Sequence, residues 1–416
     1  MLMVVPLISF QYTLRLFDYP LWWVVCLHDY VLYTGDLGFL GSYYPHMVST
    51  LDDYYPSHLD PSTGLMNKPS GYGDYAFVPR EGPVTYFNAL YVHALRAAAL
   101  LARHHSANQM NSPRYIHPRA WNHTHSANQP DDAARWEHRA ASISDALNAR
   151  NFDNATGAFF DGTCGDTFCA THAQDGNSLA ILSGVADRGR ATSILSYWAG
   201  AAARDHGNAF YDNDLLGADY GDRTYAFVSY FEIAARFESG LVESALEEMR
   251  RLWGFMAAGD PGVTFWEGSG EAYNADPFRS RSHGWSTGVV PLLSRYVLGV
   301  TPTAPGFAAW SVKPHVGDLK WARGVVPTPG GQGISVRWEK SEGVFKMEIE
   351  VPEGLGEGTV AVPVGEKGTV RVNGEVVWGG GKRFGKRAAV AARDGYVEFR
   401  WTAGKMNVVV GEEGEL

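Results

Sequence analysis

Residues 84–104, VTYFNALYVHALRAAALLARH, set Val84, Phe87, Leu90, Tyr91, Leu95 and Ala98 on one face, at the three-and-four spacing of an amphipathic helix. The same period recurs outward in both directions. It covers roughly 19–34, 37–55, 130–150, 174–186, 189–203, 222–238, 241–257 and 285–297, which with the first makes nine helical segments. Short Gly-containing turns join them: in RFESGLVESALEEMRRLWGFM (236–256), Gly240 ends one helix and begins the return. A row of such hairpins predicts a toroid in which each hairpin leans on its neighbours. An (α/α)6 toroid closes on six hairpins, so nine segments leave it three helices short.

After Gly299 the period falls to two. Phe345, Met347, Ile349 and Val351 alternate with Lys346, Glu348 and Glu350, the pattern of a half-buried strand. ISVRWEK (334–340), TVAVPV (359–364), TVRVNGEVVW (369–378), YVEFRW (396–401) and MNVVV (406–410) read as further strands, and Asn373-Gly374 reads as a hairpin turn. TPTAPGF (301–307) reads as a turn-rich link. The fold class is therefore mainly α with a C-terminal β domain: an incomplete (α/α)6 toroid over 1–299, then a β-sandwich over 300–416.

The composition fits two large folded domains. The chain has 416 residues, 45% apolar and 13% aromatic, with 19% charged, which excludes disorder as the main state. Lys and Arg number 35 against 45 Asp and Glu, a net charge of -10 without a long basic run, so nucleic acid and anionic membrane are poor partners. No apolar run approaches the roughly 18 residues that span a bilayer. Met1–Phe10 is apolar but lacks a basic region before it and a cleavage site after it, so it is not read as a signal peptide. Two sequons, Asn122-His-Thr and Asn154-Ala-Thr, sit in polar, loop-like sequence; the location is read as secreted or left open.

Three cysteines exclude a zinc site of four thiolates. Cys164 and Cys169 flank GDTF, a loop that a disulfide could close, or they are free core thiols. The stretch 104–138 carries six histidines at irregular spacing, which reads as a solvated insertion between helices rather than a metal site.

The densest chemical signal is GDPGVTFWEGSGEAYNADPFRSRSHGWSTG (259–288), a long loop before the last helix. It holds Trp266 beside Glu267 and, further on, His283 near Trp285. A carboxylate next to exposed aromatic rings suits a sugar site, because rings stack on the apolar face of a pyranose while the carboxylate moves protons or activates water. The alternative is that both tryptophans are core and Glu267 caps a helix. In a second cluster, GYGDYAFVPREGPVTYFNALYVHAL (71–95), Tyr72, Asp74 and Tyr75 precede a helix that opens near Pro83 and carries Asn88 on its first turns. Asp74 there could instead cap its own loop. Asp212, Asp214, Asp219 and Asp222 lack the Gly and Glu positions of a calcium loop, so they read as a loop with a helix N-cap.

At these residues the sequence resembles the α-L-rhamnosidase family, six-hairpin glycosidases of fungal or bacterial type that act on terminal rhamnose. The matching segments are HDYVLYTGDLGFL (28–40), DPSTGL (60–65), GYGDYAFVPREGPVTYFNALYVHALRAAALLA (71–102), SGLVESALEEMRRLWGFM (239–256), TFWEGSG (264–270) and SRSHGWSTGVVPLLSRYVLGV (280–300). PGFAAWSVKPHVGDLKWARGVVPTPGG (305–331) looks like the opening of the family's C-terminal β-sandwich. The resemblance implies an inverting glycosidase with a carbohydrate as its partner and no metal or cofactor. It sets Glu267 on the general base and His283 on a sugar-binding histidine. Trp266, Trp285, Tyr72 and Asp74 fall in segments that line the family's pocket, and Asn88 is grouped with them. The family's general acid belongs to an acidic loop of the CPxRxExxGWxGD type, which no segment here matches. By the resemblance, that loop, three helices and the N-terminal β domains are missing, which would impair activity; Asp74 and Glu81 are the nearest candidate acids. The alternatives are a carbohydrate-binding homologue without catalysis and another six-hairpin enzyme, such as an unsaturated glucuronyl hydrolase.

Overall fold

The structure, a computed structural model, describes residues 15–111, 129–217, 219–259, 262, 264–270, 280–365, 367–384 and 391–412. The chain divides into two compact units, one drawn from residues up to 29, 37–240 and 247–287, the other from 30–36, 241–246 and 288 onward.

All nine segments of helical period are helical among the described residues. They are α1 (Tyr19–Thr34), α2 (Leu37–Val48), α3 (Thr85–Asn111), α4 (Gln129–Arg150), α5 (Gln174–Leu182), α6 (Arg188–Ala201), α7 (Ala226–Glu238), α8 (Val242–Met249), and a last helix that starts at Val289–Leu292 and widens over Leu293–Val297. The six apolar residues that announce α3 are all fully buried, as that spacing requires. Gly240, at φ +79°, follows the end of α7 in the left-handed conformation that turns the chain towards α8. Trp22 of α1 stacks on Phe231 of α7 at 4.8 Å and donates from Nε1 to the Tyr86 hydroxyl of α3 at 2.9 Å, so three helices meet at one aromatic cluster.

Two helical segments depart most from the sequence reading. The segment read as one helix over 37–55 is α only to Val48, then loosens through Ser49–Tyr54 and tightens into a 3-10 turn over Tyr55–His58, where Pro56 has no N–H to continue the ladder. Helix α7 begins at Ala226, four residues late, because Thr224–Tyr225 pairs antiparallel with Gly268–Ser269. That pairing is one of five ribbons, each of two-residue strands, that interrupt the helical unit. Cys164 and Cys169 are disulfide-bonded, closing GDTF at the end of another ribbon, while Cys26 is free and exposed. Residues 112–128, with His117, His123, His125 and the Asn122 sequon, lie outside the described residues. His105 is a core histidine, stacked on Tyr44 at 4.7 Å.

The second unit is a two-sheet β structure. Its strands are β1 (Val300–Ala304), β2 (Ala309–Val312), β3 (Trp321–Pro327), β4 (Gly333–Ser341), β5 (Val344–Val351), β6 (Glu357–Pro363), β7 (Thr369–Val372), β8 (Glu375–Gly379), β9 (Lys382–Arg383), β10 (Ala391–Arg393), β11 (Tyr396–Trp401) and β12 (Gly404–Gly411). One sheet runs β1-β2-β6-β11-β10 and the other β3-β4-β5-β12-β7-β8-β9. Phe345, Met347, Ile349 and Val351 face inward and the charged residues between them outward. Asn373 (φ 50°) and Gly374 (φ 83°) form the hairpin turn between β7 and β8. The stretch read as a turn-rich link instead begins with β1, which pairs with β2 through Pro302, and turns only at Pro305–Phe307. The β2–β6 pair is parallel, in a unit whose other pairs are antiparallel.

Candidate active site

The described parts of the loop, 264–270 and 280–287, fold against each other. The Glu267 amide donates to the Ser280 carbonyl at 2.9 Å, the Ser280 amide donates back to Glu267 Oε2 at 3.1 Å, and the His283 amide donates to the Phe265 carbonyl at 2.9 Å. Trp285 Nε1 donates to the Glu267 carbonyl at 3.2 Å. These bonds bring His283 Nδ1 to 3.5 Å from Glu267 Oε2, with the Glu267 side chain 24% exposed and that of His283 33%. Gly270 is needed here: at φ +122° a Cβ on it would meet the Asp222 carbonyl at 2.5 Å.

Behind the pair stands an aromatic wall. The His283 and Trp285 rings lie 4.4 Å apart, Trp285 stacks on Phe227 at 5.4 Å, and Tyr75 meets Phe227 at 5.0 Å and Trp285 at 6.1 Å. Tyr225 completes it, 6.5 Å from Trp285, its hydroxyl accepting from Arg223 Nη1 at 3.4 Å. Burial pushes the Tyr225 phenol up. The arrangement is a part-exposed carboxylate beside an imidazole, on the rim of rings from three separate segments.

Of the residues singled out from the sequence, Glu267, His283, Trp285 and Tyr75 meet here, and the others lie in different surroundings. Trp266, which precedes the strand Gly268–Ser269, is buried instead, packed on Phe255 at 5.4 Å under Arg281. Asp74 is fully buried and caps its own loop, accepting from the amides of Ala76 and Val78 and from Arg80 Nε, each at 3.0 Å. Tyr72 pairs with the strand Arg15–Leu16, and its hydroxyl accepts from Arg15 at 3.3 Å. Asn88 is buried and clasps the backbone of Met66, accepting from its amide at 2.8 Å and donating to its carbonyl at 2.9 Å. Glu81 is exposed, and its backbone bridges to Thr163.

Asp74 belongs to a buried ionic network. Arg80 also binds Asp161 at 3.1 Å and Asp175 at 2.7 Å, with all four side chains at or near zero exposure. Tyr75 donates its hydroxyl to Asp175 at 2.9 Å, and Tyr211 donates to Asp161 at 2.6 Å. Asp18 accepts from the Tyr86 hydroxyl at 2.8 Å and the Tyr75 amide at 3.1 Å. Burial, reinforced by Asp74, raises Asp18 to about 7; burial raises Asp161 to about 6, against the pull of Arg80. Burial alone would lower Arg80, but its three carboxylates hold it well above its ordinary value. The network fixes the loop that presents Tyr75 to the aromatic wall. Neither Arg80 nor Tyr225 was singled out in the sequence. Arg80 follows Asp74 by six residues, but its other partners are distant in sequence.

This assembly has the fold of the six-hairpin glycosidases followed by a β domain. The sequence matches the family described as bacterial alpha-L-rhamnosidase C-terminal domain over residues 299–376, and the family described as amylo-alpha-1,6-glucosidase over residues 11–178. Among solved structures, the GH78 family rhamnosidase of Bacillus sp. GL1 is similar at 26% identity and a TM-score of 0.66, over 82% of this chain and 33% of that one. The α-L-rhamnosidase from Dictyoglumus thermophilum matches at 18% identity and a TM-score of 0.65, over 91% of this chain and 38% of its own. The Streptomyces avermitilis α-L-rhamnosidase, solved in complex with L-rhamnose, matches at 18% identity and a TM-score of 0.64, over 94% of this chain and 32% of its own. The chain thus spans about a third of the length of these solved relatives. No curated protein matches it by sequence. The resemblance to α-L-rhamnosidases therefore rests on the sequence of the β unit and on a fold shared over most of the chain.

Proposed function

We propose that the protein is a glycoside hydrolase of the α-L-rhamnosidase type, with Glu267 as the general base of an inverting reaction on a terminal α-L-rhamnoside. The observation that carries this is the part-exposed Glu267 carboxylate, oriented by the Ser280 amide and His283 in front of the Trp285 ring. In such a reaction the carboxylate takes a proton from a water that attacks the anomeric carbon, and the bond to the leaving oxygen breaks on the opposite face. Trp285 offers a stacking surface for the sugar ring, and His283 a polar contact to its hydroxyls. The leaving oxygen needs a proton from an acid about 6.5–9.5 Å from the base. Asp74, saturated by Arg80 and two amides, is unsuited to that task. This favours, as a second reading, a pocket that binds the sugar without turning it over. The disulfide Cys164–Cys169 and the exposed sequon at Asn154 support a secreted location.

The test is hydrolysis of an aryl α-L-rhamnoside by the full chain and by Glu267→Gln, with the anomer formed first read by NMR. Loss of about 10²–10⁴ in kcat with KM little changed is the expected result, because the amide keeps the shape but cannot accept the proton. Rhamnose binding without turnover in the unmodified chain selects the second reading. Turnover by Glu267→Gln at the parent rate overturns the assignment of the base.

A further inference from the structure

We propose that the outer face of the seven-stranded sheet binds an oligosaccharide bearing uronate carboxylates, one sugar ring lying on Trp321 and a carboxylate held between Arg323 and Arg337. The register of β3 on β4 sets Arg323 directly opposite Arg337 and Trp321 opposite Glu339. Directly opposed side chains are neighbours, and like charges there destabilise a sheet. Neither arginine has an ion-pair or hydrogen-bond partner among the described residues; β5 sets Glu348 opposite Arg337 on its other side, but Arg323, on the edge strand, faces only Arg337. Beside them Trp321 is 64% exposed, on an edge strand.

The surrounding groove, of about 720 Å³, is lined by five cationic side chains, among them Lys320 and Lys340, against one carboxylate, Glu339, itself 3.8 Å from Lys346. In a chain of net charge -10 this local excess of positive charge is not a consequence of composition. A flat aromatic surface and a paired guanidinium fork call for a ligand with both an apolar ring face and a planar anion. A uronate pyranose carries both, whereas inorganic sulfate lacks the ring. A single-stranded nucleic acid also carries both, but as a dense polyanion it is opposed by the acidic remainder of the chain. The choice of a sugar rests on the glycosidase reading of the helical unit, and the experiment is chosen to separate the two.

Titration calorimetry of the full chain at low salt should show saturable binding of a galacturonate trisaccharide and none of the neutral galactose trisaccharide. Trp321→Ala and Arg337→Gln should each weaken it at least about tenfold. Arg323→Gln should leave the unfolding midpoint unchanged or raised, since the one side chain opposite it is a like charge, and Glu267→Gln should leave the binding intact. Retained uronate binding by a chain that neither hydrolyses nor binds rhamnosides would break only the glycosidase reading. The site proposal is overturned by absent binding, by equal affinity for the neutral trisaccharide, or by indifference to both substitutions. Equal competition from oligo-dT or inorganic sulfate, or a lowered midpoint in Arg323→Gln, would overturn it too.

Discussion

The two units treat charge in opposite ways. The helical unit buries Asp18, Asp74, Arg80, Asp161, Asp175, Glu232, Arg236 and Glu248, whereas the β unit, among the described residues, buries no charged side chain and keeps only Thr328 and Thr369 as buried polar groups. A β-sandwich needs only alternation: each strand turns its apolar residues inward, and the backbone ladder satisfies itself. The helical unit must also fix long loops between helices, and it does so with carboxylates and guanidinium groups that reach across them. Arg80 joins its own loop to Asp161 and to Asp175 on α5. Gln174 of α5 and Asn208 donate to Glu232 of α7 at 2.6 and 2.7 Å, and the Asn208 amide donates to Glu248 of the next helix at 2.7 Å. The contrast is between a core that tolerates errors of shape and one that tolerates no missing partner.

The strongest way to break the comparison is Arg80→Met. It removes the cation and leaves Asp74, Asp161 and Asp175 buried together, so unfolding free energy should fall by about 3–5 kcal/mol. Chemical denaturation followed at 222 nm reads this. A loss below about 1 kcal/mol would mean that the network is decorative.

A pH series sharpens the same contrast. Burial raises Asp18 to about 7 and Glu248 to about 7, the latter helped by Glu232, while Asp161 stands at about 6. A carboxyl raised on folding holds more protons in the native state, so its contribution is full below the unfolded value near 4 and is lost as pH rises through the folded value. Stability should therefore rise by about 2 kcal/mol between pH 8 and pH 6.5. His58, His104 and His105, which burial lowers, oppose this from about pH 7 downward, as the unfolded chain begins to protonate them, and trim the rise. Calorimetry across that range should show the helical signal moving upward as pH falls, while tryptophan emission from the β unit moves little. A midpoint that falls on acidification would contradict the assignment.

How much of this could be read from the sequence follows the same division. Apolar period located all nine helical segments and seven of the strands, because period records burial. Paired two-residue ribbons carry no period, so the late start of α7 at Ala226 was hidden until Thr224–Tyr225 met Gly268–Ser269. Glu267, His283 and Trp285 were legible because one loop holds them all. Tyr75, Tyr225 and Phe227 join them only through contacts between segments distant in sequence, and a buried arginine such as Arg80 looks in sequence like any surface arginine.

Asp18→Asn isolates one member of the network. Asp18 Oδ2 accepts both of its side-chain bonds, and Oδ1 has no partner, so an amide oxygen can take over the accepting role without a charge to desolvate. The variant should be more stable than the parent at pH 8 and should lose about 1 kcal/mol of the change between pH 8 and pH 6.5. An unchanged pH slope would assign that slope to Glu248 and Asp161 instead.

The smallest effect is expected at the surface of the β unit. Arg400 and Glu357 lie 3.7 Å apart on neighbouring strands, with side chains 51% and 58% exposed. Water screens such a pair, and holding two long side chains together costs rotamer entropy, so the net contribution is close to nothing. Arg400→Ala should therefore shift the unfolding midpoint by less than about 1 °C, at pH 8 and at pH 6.5 alike. Differential scanning calorimetry resolves a change of that size. A loss of several degrees would mean that charge on this strand is coupled to the apolar core beneath it, and the sharp division between the two units would no longer hold.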